Sequence, residues 1–426
     1  MSTKKIYLPR LIEKNIETSM LTNGCIVIEG PKWSGKSTTA ERFAKKVVKL
    51  QRPATFNQYK LLSDVGDSKL FDGEKPLLFD EWQKIPELWD YIRAEIDDTG
   101  GKGLFILTGS AKPIDDKNRH SGIGRFKKIT MRTMSLWESN ESSGEVSLEK
   151  LFNNDDNITG TNVHSLEDIA YLICRGGFPE SITEQNKELA LNYSKDYVES
   201  LVESDIVNVD GIKRNPTRAR NILRSYARNI STSIALTKVQ KDIESNFEIE
   251  DMRTIYSYVN ALTKLFVIEE TESWTPRLRS KTTIRTTNTR HFVDPSIATS
   301  ILHASPNDLM NDLNTLGLLF ENLVIRDLRV YAQTLHGSVF NYRDRDGLEA
   351  DAVVHLNDGR WGLIEIKLGG ESLINEGAKS LIKLSEKINH EKMNKPSFLA
   401  VITAVDKFAY KRKDGVLVIP IGCLKP

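Results

Sequence analysis

Eight consecutive residues carry the strongest chemical signal in this 426-residue chain. Gly30-Pro31-Lys32-Trp33-Ser34-Gly35-Lys36-Ser37 has the spacing G-x-x-x-x-G-K-[ST]; Thr38 follows, and the apolar run Ile26-Val27-Ile28 feeds it. The two glycines let the backbone fold around an anion with its N–H groups turned inward. A helix beginning near Lys36 aims its positive end at the same point. Lys36 would reach the β- and γ-phosphates of a nucleotide, and Ser37 would ligate Mg²⁺. Further on, Leu77-Leu78-Phe79 runs into Asp80-Glu81. Such a strand in a parallel sheet would deliver both acids to the carboxyl edge, where phosphates sit. Hydrolysis needs one acid to hold Mg²⁺ through water and another to orient the attacking water. Asp80 is assigned the first task and Glu81 the second. Residues 104–110 read as a third buried strand whose polar end, Thr108 or Ser110, would sense the γ-phosphate or cap the strand.

A second set of titratable residues lies in the last third. Residues 313–331 read as a helix on which Gly317, Glu321, Val324, Ile325 and Leu328 share a face. A carboxylate on an apolar stripe is expensive unless it is paired or bound to a cation. Asp351 sits in a strand over 347–354, and the strand 361–367 places Leu363, Glu365 and Lys367 on one side. Asp351 and Glu365 meet only if the hairpin opposes them or offsets them by an even number. A two-residue Asp358-Gly359 turn pairs Asp351 with Ile366. A three-residue loop, Asn357-Asp358-Gly359, with Gly359 left-handed, puts Asp351 opposite Glu365, and this longer turn is expected.

The elements that must position these residues make the chain α/β. A P-loop parallel sheet with helices on both faces comes first, then a helical and winged-helix region, then a small α/β domain. The length suits two to four units. Behind the loop, Phe43, Val47 and Leu50 recur at helical spacing, a second strand is expected near residues 53–56, and a helix over 86–97. Residues 139–164, rich in Ser, Asn, Asp, Glu and Gly, read as a linker or insertion. Residues 213–228 hold six basic residues and no acid. Arg220, Arg224 and Arg228 would form one stripe, as a solvated face, a contact with the first domain or a phosphate contact. Two helices over 235–244 and 251–262, a strand over 265–268 and a basic segment over 274–290 (Arg277, Arg279, Lys281, Arg285, Arg290) follow. That is the layout of a winged helix, which contacts DNA or protein. An amphipathic helix over 373–388 and strands over 398–402 and 416–419 would complete the last sheet.

Composition narrows the partners. Lys+Arg 59 against Asp+Glu 58 leaves a net charge of +1, so no global field favours nucleic acid or membrane. Cys25, Cys174 and Cys423 lie far apart, which excludes a zinc ribbon and argues against a disulfide framework. MSTKKIYLPR lacks the apolar segment of a signal peptide, and no stretch approaches about 18 apolar residues. A cytoplasmic protein with no membrane partner is the expectation; the sequence is silent on oligomeric state.

GPKWSGKST, LLFDE and FILTGS, in this order, resemble the P-loop ATPases of the AAA+ type, with the added strand between the loop and the acidic strand. More narrowly, the chain resembles a family of prokaryotic ATPases that join such a module to a largely uncharacterised C-terminal region. His120-Ser121-Gly122-Ile123-Gly124-Arg125-Phe126, Ser135-Leu136-Trp137-Glu138 and Gly176-Gly177-Phe178-Pro179-Glu180 are similar to that family's segments. The likeness implies ATP with Mg²⁺, a winged helix, and a charge-stabilising arginine at Arg125, with Arg119 as second choice. Glu321, Asp351, Glu365 and Lys367 match the PD-(D/E)xK nuclease fold, although Gly347-Leu348-Glu349-Ala350 stands where a proline is common. By that likeness the three carboxylates would hold Mg²⁺ or Mn²⁺, and Lys367 would assist the water or the transition state. The expected organisation is an ATPase domain (1–138), the linker or insertion (139–164), a helical region (165–232), a winged-helix-like domain (233–303) and a nuclease-like domain (304–426). ATP hydrolysis would be coupled to metal-dependent DNA cleavage. The alternative is a nucleotide-dependent DNA- or protein-binding regulator with a catalytically silent nuclease-like fold. A P-loop kinase fits less well, because adjacent Asp80-Glu81 favours water over a phosphoryl acceptor.

Overall fold

The computed structural model describes residues 6–111, 122–155, 157–233, 235–244, 251–276, 288–344, 347–388 and 393–426. Strands β1 (Cys25–Glu29), β2 (Lys46–Lys49), β3 (Leu77–Asp80), β4 (Phe105–Gly109) and β5 (Phe126–Thr130) form one sheet in the order β2-β3-β4-β1-β5. All neighbours are parallel. The apolar runs of β1, β3 and β4 are buried on both faces, as central parallel strands require. Val27, Phe79, Phe105 and Leu107 pack on Leu88, Ile92 and Ile96 of the helix Leu88–Thr99, while Ile26, Ile28, Leu78 and Ile106 pack on Ile16 of the helix Glu13–Thr22. β4 lies between β1 and β3, the position of the added strand.

Two expectations change here. The helix behind the loop is only Lys36–Glu41, and Val47 and Val48 leave it to pair with Leu78 and Phe79. Two adjacent β-branched residues fit a strand better than a helix. The strand expected near 53–56 is instead the start of a helix, Pro53–Val65. Pro53 occupies the first turn, where its missing N–H is harmless.

The C-terminal unit is a seven-stranded mixed sheet. Its spatial order is Gly337–Arg343, Glu349–Leu356, Trp361–Lys367, Leu399–Thr403, Leu417–Pro420, Phe408–Lys411 and Gly160–Thr161. The helix Leu313–Thr334 covers one face and the helix Glu371–Lys387 the other. Residues 139–164 therefore supply an edge strand, and Val146–Ser147 pairs with Leu424–Lys425. Phe152 of the same stretch is fully buried. Pairings of two residues leave little trace in composition.

Helices Leu166–Arg175, Asn192–Ser200, Pro216–Arg228 and Pro295–Leu302 share one core with the helix Leu313–Thr334. Helices Leu236–Glu244 and Met252–Lys264 match expectation, but the following strand is Ile268–Thr271, paired with Thr289–Phe292. Phe266 at φ 57° turns the chain before that strand begins. Arg277, Arg279, Lys281 and Arg285 of the basic segment lie outside the described residues, as do Arg119, His120 and Ser121. The two ends of that segment face inward: Trp274 packs at a tilt against Trp361 with ring centroids 4.7 Å apart, and Arg290 donates to the Tyr226 hydroxyl at 3.0 Å. In the arginine stripe, Arg220 pairs with Glu199 and Glu203, and Arg228 with Asp242; these acids belong to neighbouring helical segments and not to the first domain. Among the described residues no helix is long and apolar enough to cross a membrane.

The seam between the two sheets is polar and paired. Buried Arg326 reaches Asp294 Oδ2 at 3.2 Å and Asp327 Oδ1 at 2.8 Å. Asp327 Oδ2 accepts the Leu136 N–H, and Asp294 Oδ2 accepts the Gly177 N–H, each at 2.9 Å. Arg326→Leu would leave two buried carboxylates without their cation, a change that costs about 3–5 kcal/mol. Urea denaturation of this variant is expected to show that loss; an unchanged midpoint would mean the seam does not depend on the ion pair.

Candidate nucleotide and metal sites

The loop is shaped by contacts that only glycine permits. A Cβ at Gly30 would stand 2.1 Å from the Met131 carbonyl oxygen, so the strand end behind β5 presses directly on the loop. Gly35, at φ 91°, turns the chain into the helix Lys36–Glu41. Lys36 Nζ donates to the Pro31 carbonyl at 2.6 Å. Burial lowers its pKa to about 8, against the opposing pull of Glu81 and Asp80. Ser37 Oγ and Thr108 Oγ1 both donate to Asp80 Oδ1 at 2.6 Å, while Asp80 Oδ2 is buried with no partner. An orphaned carboxylate oxygen beside the loop serine suits Mg²⁺ or one of its waters.

Glu81 follows in the left-handed conformation, φ 60° and ψ 47°, which swings its side chain off the strand axis. Its Oε2 accepts from Ser110 Oγ at 3.0 Å and from Gln83. Thr108 and Ser110 thus hold the two acids. A cavity of about 510 Å³ opens in front of the loop, bounded also by Gln51, Glu81, Lys84 and Glu180.

Arg125 lies elsewhere. Phe126 is level with Cys25, so Arg125 stands at the amino edge of the sheet, about 20 Å of strand from Gly30. There it pairs with Asp97 at 2.6 Å. It does not reach this chain's own loop, because phosphates gather at the opposite, carboxyl edge.

Arg10, Asp205 and Tyr197, which touch the loop from outside it, carried no motif of their own. Buried Arg10 donates to the Ser34 carbonyl at 2.7 Å and the Arg132 carbonyl at 2.8 Å, and pairs with Glu138 at 3.0 Å. Lys32 pairs with Asp205 at 2.5 Å, and Trp33 meets Tyr197 edge-on at 5.8 Å. The Gly176–Glu180 segment did carry a signal. Gly177 passes so close to Met134 that a Cβ would lie 2.2 Å from its carbonyl oxygen, and this approach brings Glu180 to the cavity.

At the C-terminal site the longer turn forms. His355 pairs with Trp361 and Ala352 with Ile364, and Gly359 takes φ 90°. This register brings Asp351 level with Glu365. There the strands part: the Ile366 N–H donates to Asp351 Oδ2 at 2.7 Å, and a bulge against the strand Gly337–Arg343 falls at the same level. Glu365 Oε2 holds Lys367 Nζ at 2.8 Å. Gly377 of the covering helix lies against both side chains. Glu321 arrives from the other helix; burial pushes its pKa well up, and the charges of Asp351 and Glu365 push further while Lys367 opposes them. Burial and Asp351 push Glu365 to about 8, and burial raises Asp351.

The four expected residues thus share one electrostatic site, three carboxylates against one ammonium. Among the described residues no three His, Cys, Asp or Glu side chains are gathered closely enough to hold an ion as they stand. Lys367 supplies the positive charge, so an ion would enter by displacing it from Glu365.

A parallel sheet in this strand order, with a glycine-rich loop and an acid pair one strand away, is the fold of a P-loop ATPase domain. Residues 22–140 match the AAA domain profile; residues 166–308 and 316–424 match two domains of unknown function, DUF8612 and DUF4143. Two uncharacterized proteins, from Mycobacterium tuberculosis and Mycobacterium bovis, are each 22% identical over 367 residues, 84% of this chain and 73% of theirs. Among solved structures, a Walker-type ATPase of Pyrococcus abyssi aligns with a TM-score of 0.42 and 14% identity, over 70% of this chain and 96% of its own. A signal transduction ATPase of Pyrococcus horikoshii with a tetratricopeptide repeat sensor aligns with a TM-score of 0.22 and 12% identity, over 78% and 50%.

A bound triphosphate would restore the Lys36 charge, so nucleotide affinity is linked to that proton. ATP affinity measured by calorimetry is expected to be flat between pH 7 and 8 and to weaken about tenfold per unit above it. A profile still flat at pH 9.5 would contradict the placement of Lys36 on the phosphates.

Proposed function

We propose that the chain binds and hydrolyses ATP with Mg²⁺ at residues 30–38. We further propose that its C-terminal site is a divalent-metal site acting on DNA, to which the nucleotide state governs access. The observation that carries the first part is Asp80: one oxygen holds Ser37 and the other is buried without a partner. Backbone N–H groups of Lys32, Trp33, Ser34 and Gly35 and the Lys36 ammonium hold the phosphates, and Gly30 and Pro31 shape the start of the loop around them. Thr38 lies beside them; Ser37 and Asp80 take Mg²⁺. Glu81, with one carboxylate oxygen fixed by Ser110 and Gln83, keeps the other for the attacking water.

In the second part Glu321, Asp351 and Glu365 are the ligands, and Lys367, released from Glu365, faces the water or the phosphate. A divalent ion bound there, Mg²⁺ or Mn²⁺, supplies an activated water and neutralises charge on a phosphodiester. Support comes from the shared register of Asp351 and Glu365 and from three carboxyls whose pKa values are all raised. The outward residues Arg253, Tyr256 and Asn260 of the helix Met252–Lys264 line a cavity of about 680 Å³ that also includes Pro31 of the loop. A strand of DNA held by that helix would lie within reach of the nucleotide site. One observation favours the silent, regulatory reading instead: Lys367 and Glu365 already form an ion pair.

Two measurements separate these readings. In ATPase and DNA-cleavage assays, Lys36→Ala is expected to lose nucleotide binding. Glu81→Gln is expected to bind ATP but turn over about 10²–10⁴-fold more slowly, and Glu365→Ala to lose cleavage alone. Absence of cleavage by the unsubstituted chain with either metal would leave the regulator. The second measurement uses pH. Carboxyls with raised folded-state pKa values stabilise least when ionised, so the metal-free protein loses stability as pH rises from about 4 through about 8. Mn²⁺ should therefore raise the melting temperature more at pH 8 than at pH 5.5, with about 2.7 kcal/mol gained at a hundredfold excess over Kd. Equal shifts at both values would count against the carboxylates as ligands.

A further inference from the structure

His291, on the strand Thr289–Phe292, is 1% exposed and carried no signal in the sequence. Its Nδ1 stands 2.9 Å from Thr271 Oγ1, which also accepts from Arg329 Nη2 at 2.7 Å. Arg329 in turn pairs with Glu269 at 3.2 Å, and Glu269 with Arg132, so the ring is held from behind by a braced chain of polar contacts. The front of the ring is different. Nε2 is buried with no hydrogen-bond partner, and it faces Glu321 Oε1 at 3.6 Å.

A buried ring nitrogen with no partner calls for an explanation. At 3.6 Å the two atoms are too far apart for an N–H···O bond. The separation suits two donors that share one ion: with bonds of about 2.1 Å, an angle near the tetrahedral value sets them roughly 3.4–3.6 Å apart. We propose that His291 Nε2 is a ligand of the C-terminal site beside Glu321, and that the site takes a first-row transition ion in preference to Mg²⁺. The proposal rests on reading that site as a metal site. Imidazole suits transition ions, whereas Mg²⁺ keeps oxygen ligands and water. Thr271 fixes the ring through its other nitrogen, the arrangement usual behind a ligating histidine. His291 and Glu321 are the pair already at ligand separation.

The test is pulsed electron paramagnetic resonance on the full chain with Mn²⁺ and no nucleotide, in a Ser37→Ala background that weakens the nucleotide site's own ion binding. The expected result is ¹⁴N modulation from a directly bound imidazole. In His291→Gln that modulation disappears, Mn²⁺ binds about 10–100-fold more weakly, and the preference for Mn²⁺ over Mg²⁺ falls. Mn²⁺ bound through Glu321 without nitrogen modulation overturns the assignment of His291 and leaves a carboxylate site standing. Mn²⁺ binding that is absent, or indifferent to Glu321→Gln, overturns the metal site and this assignment with it. If His291→Gln does not fold, the modulation of the chain with its histidine intact decides.

Discussion

A guanidinium buried between two aspartates fixes how the two halves of the chain meet. Arg326 neutralises Asp294 and Asp327, and each aspartate uses an oxygen to take a backbone N–H, Asp327 from Leu136 and Asp294 from Gly177. Asp327 holds Leu136, two residues from Glu138, which in turn anchors Arg10 beneath Ser34. Asp294 holds Gly177, three residues from the Glu180 that borders the cavity. The helix that supplies Arg326 also supplies Glu321, about 7.5 Å away along its axis. One rigid element therefore sets the position of both chemical sites.

The contacts around the loop differ in strength, and that decides which a nucleotide would change. Arg10 and Glu138 are buried, and removing either leaves an uncompensated charge, a loss of several kcal/mol. Lys32 pairs with Asp205 while its side chain stays 43% exposed, a bond worth at most about 1 kcal/mol. A triphosphate competes easily with Asp205 and not at all with Glu138. Arg10 is then the fixed support of the loop, and Lys32 is the group free to change partner. Asp205 closes a π-helical turn, Leu201–Asp205, a local geometry that often marks functional positions. A triphosphate bound at the loop would thereby compete for the contact that Lys32 makes with the middle helices.

What the sequence showed and what it hid follow from the range of the interactions. The phosphate loop, the acidic strand and the hairpin turn are local, set by residues within a few positions of one another, and were legible as such. The three-residue turn followed from strand parity once Asp351 and Glu365 were required to share a face. Arg125 stands away from this chain's own loop, since a motif gives a residue's neighbours but not the end of the sheet at which it stands. The helical spacing of Phe43, Val47 and Leu50 was overridden by pairing of Val47 and Val48 with β3, a partner some thirty residues away that periodicity does not see. Arg10 and His291 act through contacts across the fold, so neither their own types nor their neighbours announced them.

The C-terminal site remains unbalanced by its own residues. Glu365 is 4% exposed and Glu321 keeps 17% of its side-chain surface, yet one lysine faces three carboxyls. Hydrophobic residues of similar size would serve a purely structural purpose better, since buried ion sets contribute little to stability. A lone Lys–Glu pair needs neither Asp351 nor Glu321 beside it. The crowded carboxyls with raised pKa values and the unpartnered nitrogen of His291 facing Glu321 mark a place where the charge of a cation would be stabilising. A divalent cation supplies that charge in a single particle, and a phosphodiester neutralised by it could then approach acids that would otherwise repel it.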